Sequence, residues 1–157
     1  MIHIGIDPGL HGAVGALDDI GDIVLLADLP VIRDLSLPWI DGSAFQSLIL
    51  GALEGRTARA TIERVSSMPG QGIASSFQFG VGFGSIVGVL QAMHISISFV
   101  TPSVWKKSYG LSKDTHASLR KARLTYPAAE LHVAKQDGGA ESLLIASCGG
   151  RTFKGAA

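Results

Sequence analysis

From Val65 to Trp105 the chain runs 41 residues without one Asp, Glu, Lys or Arg. A segment that cannot present charge to water must be covered by something, and the first question is whether lipid does it. A membrane-spanning helix needs about 20 consecutive apolar residues. This stretch is interrupted by Pro69, Gln71, Ser75, Ser76, Gln78, Gln91 and His94, and five glycines lie between Gly72 and Gly88. It divides into two elements, and no membrane span is expected. Gly72–Met93 places Phe79, Phe83, Ile86, Val87 and Leu90 at helical spacing, and Ile95–Val100 alternates like a buried strand. Gly80, Gly84 and Gly88 fall at i, i+4 and i+8, a smooth stripe on one helix face. Each helical glycine costs up to about 1 kcal/mol relative to alanine, so packing must offset them. The stripe therefore predicts a helix sandwiched between its own sheet and another surface, with a partner subunit as one candidate. Gly80-Val81-Gly82-Phe83-Gly84 lies inside this helical pattern, so it is not a dinucleotide-binding turn.

Around that stretch the pattern alternates between strands and helices. Ile2, Ile4 and Ile6 form a strand that Pro8-Gly9 ends. Gly12–Leu17 and Asp22–Leu29 read as a hairpin, Pro30–Pro38 as a loop, Asp41–Gly55 as a helix and Ala58–Val65 as a further strand. After Ile95–Val100 come a short helical turn at Pro102–Tyr109, an amphipathic helix at Lys113–Tyr126 and a last helix at Asp137–Cys148. This order predicts an α/β fold with a mixed sheet and helices on both faces. The 157 residues suit one domain, with the last few as a tail. A lone cysteine, Cys148, excludes a disulfide framework and a four-cysteine zinc site, and the N-terminus has no basic leader. A reducing cytoplasm is the expected compartment.

The formal net charge of zero hides an asymmetry. Residues 1–105 carry four basic and nine acidic side chains, whereas residues 106–157 carry nine basic and four acidic. Such a split points to an anionic partner for the second half, although any one lysine is equally a solvated surface residue.

Three acids stand where acids are rarely buried unless paired or metal-bound. Asp7 lies on the first strand opposite the isoleucines. Glu63 lies inside Thr61-Ile62-Glu63-Arg64-Val65, where an arginine is the alternative partner. Glu141 shares a helix face with Ile145 and Cys148. Asp137, one turn before Glu141, can point the same way or can simply cap the helix. Oxygen-only ligands from two strands and a helix suit Mg²⁺ or Mn²⁺. Two such ions about 3.5–4 Å apart serve in-line phosphoryl displacement. The basic half supplies a matching surface. Lys113, His116, Arg120 and Arg123 fall on one side of their helix, and Lys106 and Lys107 sit on the turn before it. Lysines that hold phosphates beside an acidic metal site are what a nuclease requires.

The motifs bearing these residues resemble a known family. Ile4-Gly5-Ile6-Asp7-Pro8-Gly9 looks like the opening of the RuvC family of Holliday junction resolvases, and Thr61-Ile62-Glu63-Arg64-Val65 like its second acidic strand. Met68-Pro69-Gly70-Gln71-Gly72, Phe77-Gln78-Phe79-Gly80, Thr101-Pro102-Ser103-Val104-Trp105-Lys106-Lys107 and Gly110-Leu111-Ser112-Lys113-Asp114 are similar to its bacteriophage branch. Asp137-Gly138-Gly139-Ala140-Glu141-Ser142-Leu143-Leu144-Ile145-Ala146 resembles the terminal catalytic helix. The resemblance implies an RNase H-like mixed five-stranded sheet, a homodimer, and metal-dependent cleavage of branched DNA with two ions per site. It implies Asp7, Glu63, Asp137 and Glu141 as metal ligands and Lys106 beside the scissile phosphate, with a second lysine-type contact at Lys113 or His116. The cellular enzymes space the last two acids D-x-x-D, whereas here the spacing is D-x-x-x-E, so Asp137 stays open between ligand and cap. Where those enzymes carry a base-contacting phenylalanine this chain has Ser66, and Met68 is the candidate replacement.

The expected function is paired symmetric nicking of four-way DNA junctions, leaving 5′-phosphate and 3′-hydroxyl ends. Lys106, Lys107, Lys113, His116, Arg120, Arg123 and Met68 are expected on the DNA face. A broader debranching nuclease, a ribonuclease H and a non-catalytic junction-binding protein are the alternatives. An ATPase or sugar kinase of related fold needs two such domains, and 157 residues hold one.

Overall fold

The alternation of Ile2, Ile4 and Ile6 with His3, Gly5 and Asp7 places one strand at the centre of the molecule. A computed structural model describes residues 1–33, 37–64, 72–111, 116–129, 131 and 137–154. In it β1 (Ile2–Asp7) is flanked by β2 (Ala13–Leu17), which runs antiparallel, and by β6 (Ala58–Glu63), which runs parallel. β3 (Ile23–Asp28) closes one edge and β7 (Ser96–Val100) the other, giving the order β3-β2-β1-β6-β7. The expected mixed five-stranded sheet is present. The hairpin between β2 and β3 turns on Asp18, whose Oδ1 accepts the N–H groups of Ile20, Gly21 and Asp22.

One sheet face is a conventional core. Ile2, Ile4, Ile6, Ala60 and Ile62 meet Phe45 and Ile49 of α1 (Gly42–Leu53) and Ile86 and Leu90 of α2 (Ile73–Ala92), all buried. Each fully buried isoleucine, leucine or phenylalanine contributes about 1.5–3 kcal/mol. The start of α1 is set by Asp41, which accepts from the Ala44 N–H, and its end by Glu54 and Gly55 at positive φ. Arg56 then donates to the Leu53 and Ala52 carbonyls.

Over Gly5 the other face has no side-chain layer, although Leu17, Leu143 and Ala146 form a small buried cluster on it. α5 (Asp137–Lys154) lies directly on β1 and β2. A Cβ on Gly5 would stand 2.1 Å from the Ser142 carbonyl oxygen and 2.2 Å from the Ala146 nitrogen, and one on Gly149 would stand 2.1 Å from Thr61 Oγ1. This contact corrects the expected end of the last helix at Cys148. Gly149 and Gly150 are not a stop; they are the positions where the helix passes over Thr61 and His3. Behind α5, α3 (Pro102–Ser108) and α4 (Ala117–Thr125) form a second core of Trp105, Leu119, Ala122, Leu131, Ala140, Leu144, Ile145 and Cys148.

The expected loop at Pro30–Pro38 also needs correction. Val31–Ile32 (β4) and Trp39–Ile40 (β5) pair antiparallel as a two-stranded ribbon, too short to show alternation in the sequence. By length and apolarity alone α2 suffices to cross a bilayer. Here Gly82, Ile86 and Leu90 are buried, while Gly80, Gly84 and Gly88 have no neighbour among the described residues within 4 Å of an added Cβ. The glycine stripe therefore faces away from the protein's own sheet.

Candidate functional site

Strand parity delivers two carboxylates to one place. β1 and β6 are parallel and in register at Ile6 and Ile62, so Asp7 and Glu63 emerge side by side at the same sheet end, on the α5 face. Glu141, in the first turns of α5, arrives from above. Close approach is again the enabling feature: a Cβ on Gly138 would lie 3.1 Å from Asp7 Oδ2. α3 and α4 close the site from the side. Lys106 Nζ is 2.9 Å from Glu141 Oε1, and Ser118 Oγ donates to the same oxygen at 2.9 Å. Trp105 Nε1 donates to Glu63 Oε1 at 2.7 Å.

The electrostatics show the three acids acting on one another. Burial, and then the negative charges of Glu63 and Glu141, push the Asp7 carboxyl up to about 7 against a downward pull from Lys106. Burial raises Glu63 as well, opposed first by the Trp105 hydrogen bond. Among the described residues no three carboxylate, imidazole or thiol side chains close around a single point. Lys106 places an ammonium among Asp7, Glu63 and Glu141 instead. An under-neutralised, all-oxygen set of this kind fits a hard divalent cation.

A stability prediction follows from Asp7. Its folded pKa lies above the ordinary carboxylate value, so the metal-free fold is favoured with Asp7 protonated. That contribution is complete below about pH 4 and is lost as pH rises through about 7. One pKa unit is about 1.4 kcal/mol. Asp7→Asn should therefore leave the metal-free melting temperature unchanged at pH 4 and raise it by roughly 5–15 °C at pH 8 for a chain of this length. Calorimetry of both proteins across pH checks this; a difference that does not grow with pH contradicts it.

The structure brings Asp7, Glu63, Glu141 and Lys106 together. Lys107 and Arg120 are exposed on the neighbouring α3 and α4, and His116 is exposed just before α4. Arg123, also exposed, ties α4 to the chain that follows it, its Nε and Nη2 donating to the Leu131 carbonyl at 3.0 and 2.6 Å. Met68, Lys113 and the Asp137 side chain lie outside the described residues. Among the described residues the hydrogen-bond partner of Glu63 is Trp105 and not the arginine weighed as an alternative. Trp105 and Ser118 are absent from the expected site. The tryptophan reads as a core residue, and its one polar atom leaves no periodic signal.

No family model matches the chain, and no curated protein matches it. Solved structures do. Thermus thermophilus RuvC in complex with a Holliday junction substrate superposes with a TM-score of 0.67 at 15% identity, over 99% of this chain and 96% of that one. The chain has the RuvC fold. A second Thermus thermophilus RuvC structure gives 0.61 at 13% identity over 99% and 97% of the two chains. The match runs through the whole five-stranded sheet and its helices, so the RNase H-like expectation holds.

Proposed function

We propose that this chain is a divalent-metal-dependent endonuclease that resolves four-way DNA junctions by paired nicks, working as a homodimer in the cytoplasm. The observation that carries the reading is the meeting of Asp7, Glu63, Glu141 and Lys106 at one sheet end of a RuvC fold. Asp7, Glu63 and Glu141 would hold the cations, joined by Asp137 if it serves as more than a cap. When bound, Mg²⁺ or Mn²⁺ supplies activation of water and stabilisation of the leaving oxygen. Lys106, 37% exposed at its side chain, can turn from Glu141 to a phosphate. Lys107, His116 and Arg120 extend the positive surface beside it, where phosphate contacts fix the register of the nucleic acid. A likeness to the bacteriophage branch rests on the sequence motifs alone.

The test is a labelled four-way junction incubated with the protein and Mg²⁺ beside a linear duplex of the same sequence. Symmetric nicks in the junction, absent with chelator and absent from the duplex, are expected. No cutting with Mg²⁺ or Mn²⁺ overturns the reading.

The uncovered face of α2 supports the homodimer. Ile73 is 91% and Phe77 69% exposed there, beside the glycine stripe. Two symmetric nicks need two sites related by a two-fold axis, and such an interface is self-complementary. A Cβ at Gly84 meets nothing within 4 Å among the described residues. Gly84→Leu should therefore leave the fold intact and shift light-scattering mass from dimer to monomer, turning paired nicks into single ones. A Gly84→Leu protein that remains a dimer removes this face from the interface.

A further inference from the structure

We infer that Trp105 is a positioning residue: its buried indole N–H holds the Glu63 carboxylate in the orientation in which Glu63 meets a divalent cation. The inference rests on the proposed metal-dependent reading and adds to it a residue that contributes no ligand atom of its own.

Three observations carry it. Glu63 is 5% exposed and Trp105 fully buried, so water competes little for the bond between them. The N–H to Oε1 distance of 2.7 Å is that of a strong charge-assisted bond. The indole belongs to a buried cluster with Leu119, Ala122 and Ile145, a packed surrounding that holds its donor in place.

The contrast with its neighbour sharpens the assignment. Lys106, the next residue, holds Glu141 with a mobile positive charge, which an arriving cation competes with directly. The indole N–H is neutral and donates only, so it neither competes for the ion nor has to leave. Consecutive residues of one short helix thus grip two acids in different ways, one displaceable and one fixed. Partners that orient a metal ligand in this way typically alter metal affinity or activity 10–100-fold when removed.

Two measurements test it. The chain has two tryptophans, so Trp39→Phe leaves Trp105 as the sole indole fluorophore. Titrating that protein with Mn²⁺, without DNA, should give saturable quenching of Trp105 emission; an unresponsive emission overturns the inference. Trp105→Phe keeps a ring in the core but removes the donor. Calorimetry should show Mn²⁺ affinity weakened by at least about tenfold, and cleavage should recover its full rate at saturating metal, which a merely structural lesion would not do. Wild-type metal affinity in Trp105→Phe overturns the inference and leaves the nuclease reading untouched. If Trp105→Phe does not fold, the Trp39→Phe titration decides alone. If metal binding responds as expected in both proteins but no junction is cut, the positioning role stands and the nuclease reading falls.

Discussion

Glu63→Gln should abolish metal-dependent junction cleavage, a loss beyond the roughly 100-fold that removing an outer partner of a ligand can cost, while junction affinity stays at the wild-type level. The amide has the shape of the carboxylate, and its oxygen still accepts from the Trp105 indole, so α3 keeps its seat against β6. What is lost is the negative charge. That charge is one of the two that push Asp7 up, so the metal-free variant should also be more stable than wild type at pH 8. A gel of junction cleavage beside a binding titration separates the effects. Cleavage at the wild-type rate in Glu63→Gln would exclude Glu63 from metal binding. Asp137→Asn belongs in the same experiment: asparagine caps a helix about as well as aspartate, so a loss as deep as at Glu63 would assign Asp137 to the cation.

Gly5→Ala should be among the most destabilising single-methyl additions possible in this protein. The new Cβ would sit 2.1–2.2 Å from backbone atoms of Ser142 and Ala146, and backbone in a helix seated on a sheet has nowhere to go. Overpacking ordinarily costs about 1–3 kcal/mol; here the obstacle is main chain, and more than about 4 kcal/mol is expected. For a chain of this length that is a fall in melting temperature on the order of 10–15 °C. Gly51→Ala is the control. Gly51 sits on the exposed side of α1 with nothing within 4 Å of an added Cβ, and alanine there should stabilise by up to about 1 kcal/mol. Equal melting temperatures for Gly5→Ala and wild type would show that α5 does not rest on β1 as described.

Much of this architecture is legible because period-2 alternation is strict where it matters. Ile2, Ile4 and Ile6 mark one face, and the same parity leaves Asp7 on the other. Glu63 stands out among β-branched neighbours for the same reason. What sequence pattern cannot show is what glycine is for. Gly149-Gly150 looks like a helix stop and is a helix-to-sheet contact, while Gly80, Gly84 and Gly88 look like a packing stripe and meet nothing among the described residues. Two-residue strands such as Val31–Ile32 carry no periodicity, and the prolines at 30 and 38 read as breakers. Trp105 escapes notice because its apolar bulk accounts for its position, and only the structure shows where its single N–H points.

The direct seating of α5 makes the two faces of one sheet unequal as targets for substitution. On the α1 and α2 side, interlocking side chains can be exchanged in compensating groups, since a core of branched aliphatics accepts new combinations of similar volume. On the α5 side that reserve is smaller: over Gly5 the spacing between helix and strand is set by a missing side chain against the Ser142 and Ala146 main chain, and no second substitution can restore a backbone-to-backbone distance. A saturation library across β1 should therefore split by parity, permissive at Ile2, Ile4 and Ile6 and closed at Gly5. The same asymmetry lets a chain replace most of its hydrophobic residues while keeping Glu141 at a fixed height above Asp7.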